Sequence, residues 1–179
     1  MYTTEIASVV ARLFVELIDG PGGQAAFMLN SGDAGLLRSL DKLSAVEASR
    51  ATHEGATIAA HALHVRYGLS LMNRWAVEGG DPFADATWEL AWTTSAVNDT
   101  EWQEIRAGLR DEAHRWLATL GSARDVSDVE LAGMISSIAH LAYHLGAIRQ
   151  IARDARGPKE GTYSTTDGEP SHRALRSAR

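Results

Sequence analysis

The sequence predicts an all-α fold, and three observations carry that prediction. Apolar residues recur at spacings of three and four along most of the 179 residues, the period of helices that bury one stripe. The prolines, Pro21, Pro82, Pro158 and Pro170, stand beside glycine or acidic residues, outside those periodic stretches. No alternating strand with a hairpin turn is evident.

A first helix is expected over Thr4 to Asp19, with Ile6, Val9, Val10, Leu13, Phe14 and Leu17 on its apolar side and Gly20-Pro21-Gly22-Gly23 ending it. Between Gln24 and Arg50 the pattern is less regular. Leu36, Leu37, Leu40 and Leu43 predict a short helix or turn over one end of the molecule, with Gly32 and Gly35 weighing against anything longer. A second helix is expected from Glu54 to Val77, closed by Gly79-Gly80-Asp81-Pro82. The loop after it carries Phe83, Trp88 and Trp92, and the two tryptophans, four apart, are expected to plug the core rather than to cap a pocket.

Two capping boxes announce the remaining helices. Asn98-Asp99-Thr100-Glu101 opens a third that continues to Leu120, and Ser127-Asp128-Val129-Glu130 opens a fourth that continues to about Asp154. Val126 and Leu131 are placed to form a hydrophobic staple at that fourth start. Four long helices with one apolar stripe each bury them most simply against one another, so an antiparallel four-helix bundle over residues 1–154 is expected. The stretch 155–179, rich in Gly, Ser, Thr and Arg, reads as a flexible tail.

Composition narrows the function. Apolar residues make up 45% and charged residues 22%, near the globular average, so the chain has enough to bury. A net charge of -6 gives no basic field for a nucleic-acid backbone. No uninterrupted apolar run reaches bilayer length and the first residues lack a basic signal-peptide end, so a cytoplasmic protein without a membrane partner is expected. Without cysteine there is neither a disulfide, nor a thiolate ligand, nor a protein-borne thiol nucleophile. Histidine, Asp and Glu remain as ligands and bases.

The histidines fall into an informative pattern. On the fourth helix His140 and His144 lie about 40° apart and border the stripe of Met134, Leu141, Leu145 and Ile148. An i, i+4 pair can converge on one divalent ion. On the second helix His61 and His64 both lie within or beside the inward arc, whereas Arg66, Ser70, Asn73 and Arg74 cluster on the other side. Unpaired imidazoles are costly there. Three neutral imidazoles from two helices, plus water, form the open site of a catalytic metal. The segment is no zinc-protease motif, because Leu141 stands where the general-base Glu would be. A phosphotransfer histidine would be exposed beside basic residues, and these face inward. His114 and His172 are expected in solvent, and His53 in a local hydrogen bond.

The run His140-Leu141-Ala142-Tyr143-His144-Leu145-Gly146-Ala147-Ile148-Arg149-Gln150-Ile151 resembles the fourth-helix signature of the DinB-like (DinB/YfiT) superfamily, and the order of helices agrees over about residues 4–154. The resemblance implies a homodimeric four-helix bundle holding a divalent metal, Zn²⁺ or Ni²⁺, through His140, His144 and one second-helix histidine. His64 suits that third place by its distance from the helix start, with His61 the alternative. Ala147 departs from the pattern, since many members carry Gln there. For some branches the resemblance implies thiol transfer with bacillithiol, mycothiol or a similar low-molecular-weight thiol. The rival expectation is a non-enzymatic bundle that binds a small molecule or a partner.

Overall fold

A computed structural model describes residues 3–23, 25–52 and 55–158. Among the described residues there are seven α-helices and no strand, so the chain is all-α. Helix α1 (Thr4–Asp19) starts where the Thr3 hydroxyl accepts from the Ile6 N–H. Its buried stripe is Ala7, Val10, Phe14, Leu17 and Ile18, while Ile6 and Val9 face outward. The stripe expected from the large apolar residues is therefore rotated, because Ala7 fits a close helix contact that a branched side chain would hold open.

Short helices α2 (Gly35–Asp41) and α3 (Ala45–Ala48) fill the irregular region, and Leu36, Leu37, Leu40 and Leu43 are all buried. Gly35 has φ +70°, and a Cβ there would run into the backbone of Gly20. The glycine that argued against a helix is what lets α2 begin against the end of α1.

Helix α4 (Ile58–Glu78) begins later than the expected Glu54, because the Thr57 hydroxyl caps it by accepting from the Ala60 N–H at 3.1 Å. One turn, α5 (Glu89–Trp92), follows, and then α6 (Asp99–Leu120) and α7 (Asp128–Ile151), both opened by the expected capping boxes. Helix α4 packs against α6 and α7, and α1 packs against the same two, so the four long helices enclose one core. Trp102 and Trp116 fill its centre, their indole N–H groups donating to the Leu43 carbonyl at 2.8 Å and the Ser137 hydroxyl at 2.9 Å.

Two further expectations need correction. Asn73, placed on the wet side of its helix, is buried, its amide donating to the carbonyl and carboxylate of Glu112 on α6. The tail does not begin at Ala155: that residue is fully buried at the end of a 3-10 turn (Arg153–Ala155), and its carbonyl accepts from Arg149. Residues 159–179, with His172, lie outside the described residues, as does His53. By length and composition alone α7 could also cross a membrane, as many core helices of globular proteins could, since no Asp, Glu, Lys or Arg interrupts it between Glu130 and Arg149. Its buried face carries Met134, Ile138, Leu141, Leu145 and Ile148.

Candidate metal centre

Helices α4 and α7 face each other through their histidines. Nε2 of His64 lies 3.1 Å from Nε2 of His140, which lies 2.9 Å from Nε2 of His144. Ligand atoms of these three residues all fall within 4.8 Å of one another, close enough to hold a metal ion. Two imidazole nitrogens on one tetrahedral Zn²⁺ would stand about 3.3 Å apart, from bond lengths of about 2.0 to 2.1 Å. The donor set fits a cation with little movement.

Protons alone satisfy this cluster poorly. A neutral imidazole has one donor and one acceptor nitrogen, so Nε2 of His140 can serve only one of its two neighbours well. Nδ1 of His64 is buried with no partner. Nor can the rings readily become charged. Burial, then the neighbouring imidazoles, push His64 down to about 4 and His144 down to about 3, and burial also lowers His61 and His140. The rings stay in the neutral form that binds metals.

The second-helix alternatives separate here. His61 turns Nδ1 to Nδ1 of His144 at 2.9 Å and stays outside the group of three. If His144 presents its Nε2 lone pair to a cation, its proton sits on Nδ1 and is donated to His61, which then carries its own proton on Nε2. That contact fixes both the tautomer and the tilt of the His144 ring.

Trp88 and Trp92 are not the core plug expected from the sequence. Trp92 stacks on His64 with ring centroids 4.4 Å apart and meets His61 edge-on at 5.4 Å; Trp88 leans on His64 at 5.3 Å. Both roof the histidines. The roof is tied to α4, for the Tyr67 hydroxyl accepts from the Thr87 N–H at 2.9 Å and Arg74 pairs with Asp85 at 2.5 Å. Core sites went instead to Trp102 and Trp116, whose N–H groups find acceptors there. His114 is exposed beside Asp19, as expected.

Gly68 was missed in the sequence. A Cβ on it would reach to 3.7 Å from Cε1 of His140 and 3.8 Å from Trp88, so its lack of a side chain leaves room where the two meet α4. The signal was present: Gly68 follows His61 by seven residues and His64 by four, on the same helix face. Compared with protein families, curated proteins and solved structures, the chain finds no match.

Proposed function

We propose that this chain is an antiparallel four-helix bundle of the DinB/YfiT type that binds one divalent cation, Zn²⁺ or Ni²⁺, through Nε2 of His64, His140 and His144. The observation that carries the reading is the convergence of three neutral Nε2 atoms from two helices. The ring of contacts among α1, α4, α6 and α7 and the fourth-helix motif support the family assignment. A cation held there lowers the pKa of a thiol or water at its open position, supplying a nucleophile at neutral pH without a protein cysteine. Transfer using a low-molecular-weight thiol is the reaction that suits such a site. His61 orients His144, and the indoles of Trp88 and Trp92 keep bulk water from one side of the cluster.

Homodimer formation belongs to the same reading. It is supported by the outward face of α7, where Ile135, Ala139, Tyr143 and Gly146 carry no charge and Ile135 and Tyr143 are 55% and 69% exposed.

Metal analysis of protein purified without a polyhistidine tag tests the proposal. One equivalent of metal per chain is expected in the wild type and none after His140→Ala and His144→Ala together. Stoichiometric metal that survives both substitutions removes it. The rival reading, a bundle that only binds a small molecule, draws on the apolar groove beside the histidines. Thermal shifts separate the two: an apolar ligand that stabilises a protein no divalent metal stabilises favours the binder.

A further inference from the structure

The histidine cluster opens on one side into a groove of about 890 Å³ between α4, α7 and the loop at 80–88. Met72, Trp75, Phe83 and Trp88 belong to its apolar wall, and His140 stands in it as a polar group of the histidine cluster. Two glycines shape it. Gly68 leaves the space beside His140, and a Cβ on Gly133 would strike the Trp75 ring, so the bare α7 backbone gives that indole its room.

The polar groups lining the groove are few and mostly engaged. The Ser137 hydroxyl accepts from Trp116 and donates to the Met134 carbonyl. Asp81, the one acidic side chain in the lining, accepts from the Phe83 N–H at 2.9 Å. No Lys or Arg lines it. An anionic ligand would give up its hydration and find no counter-charge in the groove wall, which is costly, and the one carboxylate there is engaged by a backbone N–H, whereas an alkyl or aromatic group gains by leaving water. The size suits a small molecule.

We propose that this groove binds a neutral, apolar small molecule, alkyl or aromatic, whose reactive or ligating end lies at His140. The inference rests on the metal-centre reading and assigns that centre its substrate class. The apolar body lies between Trp75 and Trp88 and holds the polar end against the cluster. Ser136, one turn before His140 and on the same wall, touches the body rather than the end.

The test uses the full-length, zinc-loaded protein, titrated with linear alkyl hydroxamates from acetohydroxamate to octanohydroxamate and with primary amides of the same lengths. Hydroxamates chelate zinc and amides do so poorly. Each added methylene is expected to tighten hydroxamate binding about fourfold until the groove is filled, with the amides following the same slope from a weaker start. Ser136→Phe fills the groove and is expected to abolish the slope while acetohydroxamate binds as before; Ala132→Phe, on the same wall, serves if that variant does not fold. Wild-type affinity independent of chain length overturns the proposal. A terminal carboxylate on the longest chain should cancel most of the gain, and tighter binding of that acid would overturn the claim of neutrality. Amides binding as tightly as hydroxamates, with the slope intact, would remove the metal centre and leave the groove standing.

Discussion

Two buried polar centres in this molecule are built on opposite principles. Where α1 meets the end of α7, the two buried carboxylates both have partners. The Glu16 carboxylate accepts from the N–H groups of Phe27, Met28 and Leu29 at 2.6 to 3.0 Å. Asp33 accepts from Arg149 at 2.6 Å and from the Gly35 N–H at 2.8 Å. Between α4 and α7 the histidines crowd their nitrogens together, and Nε2 of His140 is shared between two neighbouring rings that it cannot both serve well. The first arrangement completes itself and anchors a loop. The second lacks a positive charge at its centre, and that difference separates a structural polar cluster from a binding site.

Breaking the completed centre should cost most. Asp33→Ala strands a largely buried guanidinium and is expected to lower stability by about 3 to 5 kcal/mol in denaturant titration. Glu16→Gln replaces a charged acceptor of backbone N–H groups, for an expected loss of about 2 kcal/mol by the same measurement. A loss under a few tenths of a kcal/mol in either variant would mean that this centre does not anchor the loop.

The histidine centre should respond in affinity rather than in fold. His61→Ala frees the His144 ring and is expected to weaken zinc binding by about 10- to 100-fold in chelator competition, with little change in metal-free stability. Unchanged affinity would exclude His61 as a positioning residue. His64 and His144 sit at about 4 and about 3 in the fold, below their ordinary 6.5. The folded protein therefore binds fewer protons than the unfolded chain between those values. Metal-free stability is full above about pH 6.5 and is lost as the pH falls toward 4 and 3. A His64→Leu, His144→Leu protein should lose less over that window, and identical pH profiles would contradict the assignment. The smallest effect is expected of His64→Leu alone. Without metal it removes an unpartnered buried nitrogen and should change stability by less than about 1 kcal/mol.

Helix positions were legible in the sequence wherever a local signal sufficed. The boxes at Asn98 and Ser127 lie within four residues of chain, and both form as expected. Spacing also put His61, His64, His140 and His144 on inward arcs, and the structure brings all four together. Readings failed where a partner distant in the chain decides. Asn73 is inside because Glu112 on another helix meets its amide, and Ala155 is inside because Arg149 reaches its carbonyl. For Trp88 and Trp92 the pattern gave the loop but not where its indoles lie, since which tryptophan enters the core depends on acceptors such as the Leu43 carbonyl, far away in sequence. His61 and His64 could not be separated by angle alone. Each points inward, and only the facing helix determines which nitrogen meets which.

The central claim is that Nε2 atoms of His64, His140 and His144 meet around one cation. X-ray absorption at the zinc edge, on protein loaded with one equivalent, tests it most directly. Three imidazole nitrogens at about 2.0 to 2.1 Å, completed by a light-atom ligand, are predicted, with the imidazole signal falling in each single His→Ala variant. A shell of oxygen ligands alone, or one unchanged by the three substitutions, would contradict it.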